Sequence, residues 1–475
     1  MKRLLAVALT LLAGCVAGPD YRRPAATPTV PPAYAGWKIA EPKADQPKGN
    51  WWEMFGDPEL NRLEAAAAAA NQELKAAVAG FEQARASADI TRADLFPNLI
   101  LAPTATRERD SNNRPVNGVA GGPIPLYNTL TVPLTAGYEL DLWGRVRRSV
   151  ESARAQVQAS ADDLESVKLA IQAEVATDYF TLRALDAELM LLRSSVTEFR
   201  KALELTRHRR QGGVASDLDV AQAETVLKTT EAQVPAMALQ RARFEHGLAL
   251  LTGRPAPAFA LAEQPLQSVS PTIPPGLPSE LLERRPDIAA AERRMAAANA
   301  QIGVAQAAFF PTLRFNGLAG LQSLDADTLF NWPSRLWAVG PSLSLPLFEG
   351  GARSATVRQR RSAYDQMVAL YRQTTLAAFA EVEDHLAAQT LLTAQYEQET
   401  AALGAARKQL EIATNRYRSG LVTYLEVSLA QNLVLQEERT VIGLHGARLV
   451  TTVALVKSLG GGWSDQGRSK SAPGR

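Results

Sequence analysis

The chain has 475 residues, 46% hydrophobic and 21% charged, a mix too apolar for a disordered polymer and too charged for a bundle of membrane-spanning helices. Lysine plus arginine number 51 against 49 aspartate plus glutamate, so there is no basic excess to suggest a nucleic-acid partner. A single cysteine excludes an internal disulfide.

The first element, residues 1–14, reads as an export leader: Lys2 and Arg3, an apolar run Leu4 to Leu12, then the small residues Ala13 and Gly14. Leu12-Ala13-Gly14-Cys15 has the form of a bacterial lipobox, which makes Cys15 the acylated first residue of a mature lipoprotein. Val16 follows where an aspartate would retain such a lipoprotein at the inner membrane, so the expected destination is the outer membrane. No later stretch holds roughly eighteen consecutive apolar residues, so the pattern predicts no membrane-spanning helix, and any crossing must use strands.

Beyond residues 15–57 the chain is written twice. LFPNL at Leu95–Leu99 returns as FFPTL at Phe309–Leu313, and DLWGR at Asp141–Arg145 returns as PLFEGGAR at Pro346–Arg353. The stretch Arg209–Val220 matches Arg416–Val427, with Arg, Gly, Leu, an acid and Val in register. The pattern predicts a first repeat over 58–253, a Pro-rich linker over 254–277, a second repeat over 278–460 and a tail over 461–475.

Each repeat has one plan: helix, strand, polar loop, strand, very long helix, tight turn, helix. Strands are predicted at 98–107, 129–141, 312–321 and 337–347. Apolar and polar residues alternate along them, as in Leu130, Val132, Leu134, Ala136 and Tyr138 against Thr129, Thr131, Thr135 and Gly137. Each is about 10 residues, enough to cross a bilayer at a tilt. Phe96, Tyr138, Trp143, Phe309, Phe310 and Phe348 stand at their helix-side ends, and Tyr127, Phe330, Trp332 and Trp337 near their loop-side ends. Aromatic rings at both edges of an apolar band match the girdles of an outer-membrane barrel. Four strands cannot close a barrel, and open edges are not tolerated in lipid, so several copies must share one.

Long helices are predicted over 145–208 and 352–416, followed by helices over 215–252 and 422–459. At about 1.5 Å per residue the first is about 100 Å long. Leu182, Leu185, Leu189, Leu192, Val196, Phe199 and Leu203 fall at spacings of three and four, a left-handed coiled-coil seam. A weaker seam runs through Leu392, Tyr396, Leu403, Ala406, Leu410, Ala413 and Tyr417, with Glu399 as its charged exception. Gly213 and Gly420 end the long helices, Ser216 and Thr423 begin the next, and Asp219 and Glu426 stand three residues later. That is the pattern of a glycine stop followed by a capping box, each N-cap contributing about 1 kcal/mol.

The lipobox with Gly18–Pro24, WWEMFGDPEL at Trp51–Leu60, the two Phe-Pro strand starts, the LWGR exit and the paired R-x-x-x-G turns resemble the TolC-like outer-membrane efflux channels. The likeness covers nearly all of the chain after Cys15 and looks strongest to the lipoprotein, NodT-type branch that serves resistance-nodulation-division (RND) pumps. It implies an α+β membrane protein. Three copies would build a twelve-stranded barrel, four strands from each, continued by a helical periplasmic tunnel and ringed by an equatorial region around 17–57, 256–275 and the tail. It implies a homotrimer, a periplasmic membrane-fusion adaptor docking at the turns around Gly213, Ser216, Gly420 and Thr423, and an inner-membrane RND pump that supplies the energy. It also implies an iris-like gate in which Tyr417 bonds Asp219 and Glu426 lines the constriction. Leu429 stands where some members carry a further acid.

The residues point to no enzyme. The four histidines, His208, His246, His385 and His445, have no metal-ligand spacing, and neither a nucleotide-binding loop nor a nucleophile motif is present, so no cofactor is expected. Three alternatives remain at this stage: the outer-membrane duct of a type I protein secretion system, a lipid-anchored periplasmic coiled-coil scaffold, and a general diffusion porin. The porin would need many more short strands, and the scaffold would not need strands with aromatic ends.

Overall fold

The computed structural model describes residues 16–26, 49–109, 111, 126–268, 271 and 285–461. The leader, Cys15, most of the first polar loop, the far end of the linker and the tail lie outside the described residues. The chain divides into two compact units, each gathered from three separated segments.

The first unit (1–25, 82–160 and 291–371) is built around an antiparallel sheet. Its strands are β1 (Asn98–Leu101), β2 (Thr104–Glu108), β3 (Tyr127–Leu140), β4 (Thr312–Ser323) and β5 (Arg335–Ser344). β1 and β2 both pair with β3, which pairs with β4, which pairs with β5. The single strand expected over 98–107 is therefore broken, because Pro103 has no N–H to give to the ladder. Ala102 still donates to Pro133 O across the break at 3.2 Å. The last strand starts at Arg335 and stops at Ser344, short of the expected 347, where its partner strand begins at the opposite residue, Thr312.

Register sorts the sheet into two faces, because residues directly opposite one another share a side. One face carries Leu134 and Ala319, then Tyr138, Phe315 and Pro341, then Leu140, Leu313 and Leu343. The other carries Thr131 and Gln322, then Gly137, Asn316 and Gly340, then Glu139, Arg314 and Ser342. The apolar face of the sheet is uncovered: Trp337 is 77% exposed and Leu343 68%.

The DLWGR motif joins this sheet to a helix. Asp141 accepts from Val146 N at 3.1 Å and Arg147 N at 2.8 Å, capping α3 (Arg145–Gln211). Trp143 stacks on Phe310 at 4.7 Å and donates Nε1–H to Pro311 O at 2.8 Å, so the strand exit of one half locks onto the Phe-Pro start of the other. Gly144 leaves room for Val16: a Cβ there would lie 2.7 Å from Val16 Cγ1.

The second unit (26–81, 161–290 and 372–475) is helical. The helix expected to open the first repeat is two helices, α1 (Pro58–Ala70) and α2 (Gln72–Ala93), broken at Asn71. Asn71 caps the second by accepting from Leu74 N at 2.9 Å and holds Leu251 O through its amide at 2.9 Å. α4 (Asp217–Leu251) and α7 (Tyr424–Ser458) are each 35 residues long. α3 and α6 (Ala352–Arg418) are each 67, and α2 and α5 (Pro286–Ala307) each 22. WWEMFGDPEL forms a tight turn that buries Trp51, Trp52 and Phe55 and then starts α1. Asp57 accepts from Glu59 N and Leu60 N with one oxygen and from Tyr179 Oη, at 2.7 Å, with the other. The core gathers Leu60, Leu63, Tyr179, Phe180, Leu248 and Leu449. By length and mean hydropathy α7 does pass for a membrane span, contrary to the expectation from consecutive apolar residues. Its Leu449, Val453, Leu455 and Val456 are spent on this core.

A buried ionic network fastens the linker to this unit. Asp186, fully buried, accepts from Arg183 at 2.8 Å, Arg241 at 2.6 Å and Gln264 N at 3.2 Å. The two arginines reach on to the carbonyls of Ala262 and Leu261, and Glu245 accepts from Leu261 N.

Candidate functional site

The two turns where long helices end share one geometry. Val214 N donates to Arg209 O at 2.8 Å and Gly213 N to Arg210 O at 2.9 Å; Leu421 N donates to Arg416 O at 2.9 Å and Gly420 N to Tyr417 O at 3.0 Å. Gly213 and Gly420 hold φ of +74° and +75°, the left-handed stop that a Cβ disfavours by roughly 1–2 kcal/mol.

The caps that follow are not alike. Ser216 and Asp219 form a full capping box, each side chain bonded to the other's backbone N–H. Thr423 makes no side-chain cap. The second turn therefore departs from the expected capping box: the longer Glu426 lies 3.5 Å from Arg416 instead. The Tyr424 N–H at its start is taken by Asp219 Oδ1 of the other turn at 3.2 Å.

That bond changes the expected gate contact. Tyr417 and Asp219 do share one cluster, but no Tyr417–Asp219 hydrogen bond is present: the buried Tyr417 Oη has no partner. Asp219 is already occupied by Ser216 and Tyr424 N, and the Arg209 guanidinium covers the Tyr417 ring at 4.5 Å. Arg209 also donates to Arg418 O at 3.4 Å, and Tyr417 meets Tyr424 edge-on at 5.5 Å. Burial pushes Asp219 up, but the hydrogen bonds from Ser216 and Tyr424, with Arg209 nearby, outweigh it and hold the carboxyl below its usual range. Burial, with Tyr417 beside it, pushes the Tyr424 hydroxyl up to about 12. Beside the turns lies a cavity of about 520 Å³ lined by Phe199, Leu205, Leu410, Tyr417, Tyr424 and Leu435.

Sequence reasoning missed Arg209, Arg416 and Tyr424. A signal existed, since Arg209 and Arg416 are the first aligned pair of the two turns. Glu426 is half exposed, and Cys15 lies outside the described residues. Among the described residues no group of three or more His, Cys, Asp or Glu side chains could hold a metal ion.

This arrangement of sheet, long helices and paired turns recurs in known proteins. The family model described as outer membrane efflux protein matches twice, over residues 64–254 and 277–461. The chain belongs to the outer membrane efflux protein family. Among curated relatives, the toluene efflux pump outer membrane protein TtgC of Pseudomonas putida is 34% identical, covering 98% of this chain and 96% of its own. The outer membrane protein OprJ of Pseudomonas aeruginosa is 35% identical over the same shares. Among solved structures, the outer-membrane channel OprN superposes with a TM-score of 0.85 at 30% identity, over 94% of this chain and 100% of that one. The CmeC outer membrane channel of Campylobacter jejuni gives 0.86 at 26% identity, over 94% and 95%. This efflux protein thus matches its relatives over nearly their whole length, and it acts in efflux at the outer membrane.

Proposed function

We propose that three copies of this efflux protein form one passive exit duct, lipid-anchored at Cys15, that receives cargo from an inner-membrane RND pump through a periplasmic adaptor. The observation that carries this reading is the sheet: four strand lanes with one apolar face uncovered, one polar face, and both edges unpaired. Such a sheet is stable in lipid only when sister sheets close it, and the apolar face must then meet lipid while the polar face lines the lumen. Twelve strands in three copies satisfy this, and the 67-residue helices leaving the strands supply the periplasmic wall.

The residues just after Cys15 support the anchor. Ala17 N donates to Trp143 O at 2.9 Å, Arg148 binds Asp20 at 2.8 Å, and Asn299 donates to Pro19 O at 3.0 Å. Val16 and Ala17, the first described residues after the proposed anchor, lie against the strand exit, where a membrane boundary belongs. The turns are the reading's gate and adaptor site: Asp219, through its bonds to Ser216 and Tyr424 N, and Glu426, beside Arg416, hold the constriction, Tyr417 packs beside them without a hydrogen bond of its own, and Gly213, Ser216, Gly420 and Thr423 shape the docking ends. Toluene and antibiotic pumps among the relatives fit a duct that leaves choice of cargo to the pump.

The test is purification from outer membranes followed by planar-bilayer recording. Detergent-resistant trimers with single-channel conductance are expected. A monomer that stays soluble after deacylation and conducts nothing would sink the reading. Labelled palmitate should enter the wild type and not Cys15→Ser.

A further inference from the structure

Along the polar face of the sheet, Thr, Ser, Asn, Gln and Gly make up most of the wall, interrupted by Ile100, Tyr127, Pro133, Leu318, Leu336 and Ala338. Among the described strand residues, its only charges are Glu108 at the loop end and the facing pair Glu139 and Arg314 at the helix end. That pair borders a polar cleft of about 450 Å³, whose lining also includes Asp94, Asn98, Arg145 and Asn316.

The four charges there are not equally spent. Arg145 grips Glu139 with two bonds, Nε to Oε1 at 2.8 Å and Nη2 to Oε2 at 2.9 Å. The Glu139 side chain is only 13% exposed, so this fork neutralises it within the wall. Arg314 touches the same carboxylate only at 3.5 Å and is 63% exposed, so most of its five donors remain open to the cleft. Asp94, just past the end of α2, is an exposed carboxylate in the lining of the same cleft, and its charge acts on Arg145.

We propose that Arg314 and Asp94, two exposed side chains of opposite charge lining one cleft on the lumen wall and repeated in each copy, are short-range contact points for charged solutes passing through. Arg314 is the foothold for carboxylate- and phosphate-bearing solutes, and Asp94 is the foothold for cations. This rests on the duct reading and names a selectivity belt where strands hand over to helices, separate from the turns. A net-neutral belt gives little long-range field, so its effect is short-range and screened: the Debye length is about 10 Å at 0.1 M salt and about 30 Å at 0.01 M.

The test is reversal potential across a tenfold KCl gradient at low ionic strength. Arg314→Gln should lower the chloride-to-potassium permeability ratio about twofold, Asp94→Asn should raise it by a similar factor, and Arg314→Lys should leave it unchanged. High salt should erase both differences. For a readout without refolding, Arg314→Cys channels already in the bilayer can be treated with cationic or anionic thiol reagents. These should move the ratio in opposite directions. Unchanged ratios in conducting variants would overturn the selectivity belt and leave the duct standing. A wild type that never conducts would overturn the duct itself.

Discussion

Glu64 sits on α1 at 1% exposure, and neither of its carboxylate oxygens has a hydrogen-bond partner. Burial alone pushes its pKa up from 4.5 to about 9, so the folded state keeps a proton that the unfolded chain has released. Stability therefore falls as pH rises through that window, with full effect above the folded pKa and none below the unfolded one. Between pH 4.5 and pH 7 the loss is about 3 kcal/mol. Glu64→Gln cannot ionise, so its thermal midpoint in detergent should fall less than the wild type's between pH 5 and pH 8. Parallel midpoints would show that Glu64 is not protonated in the fold. At the turns the same accounting separates two residues of the expected gate. Tyr417 Oη has no partner to lose, so Tyr417→Phe should leave resting leak conductance unchanged. Asp219→Ala removes both a capping bond and the bond to Tyr424 N, about 1–3 kcal/mol together, and should raise the leak. A leak caused by Tyr417→Phe alone would reverse this assignment.

Between elements, the ionic clamp around Asp186 should be the most sensitive point. Asp186→Ala would leave Arg183 and Arg241 buried without their shared carboxylate, a change of about 3–5 kcal/mol. The linker it holds through Gln264 N should then become open to protease between residues 259 and 268, while Asp186→Glu keeps partial protection. Equal digestion of Asp186→Ala and wild type would dismiss the clamp. Nothing in the sequence pointed to this network, because a charge on a long helix reads as a solvated face until a second segment covers it. The seam was legible for the opposite reason: Leu182, Leu189, Leu192, Phe199 and Leu203 recur at spacings of three, four and seven, the heptad pattern, and all are buried. The glycine stops were equally legible, since the left-handed backbone at the end of a helix is a local demand. Which acid meets which donor across two turns was not, because Asp219 and Tyr424 are 205 residues apart and their contact is set by packing. Breaks at Asn71 and Pro103 lay between. Their residue types are turn formers, but the surrounding periodicity spoke for continuous elements.

For the whole assembly, the two open edges of the sheet decide how copies meet. β1 and β2 lie at one edge and β5 at the other, with β3 and β4 between them. Three strand spacings of about 4.8 Å separate the edges by about 14 Å within one copy, and a disulfide spans at most about 7 Å between Cα atoms. An edge-to-edge disulfide must therefore join two copies. Thr106 on β2 pairs with Thr129, on the polar face of β3, and Leu336, Ala338, Gly340 and Ser342 carry that face on β5. With Thr106→Cys fixed, a cysteine scan along β5 should yield intermolecular cross-links at one or two of these four positions, running as dimers and closed trimers on denaturing gels. Trp337 and Val339 point to the opposite face and should give none, because a strand's side chains alternate sides. The only native thiol, Cys15, is consumed by acylation under the proposed anchor and would not compete. Cross-links that ignore the alternation, or products that never exceed a monomer, would mean that the edges are not sealed by sister copies, and the duct would lose its wall.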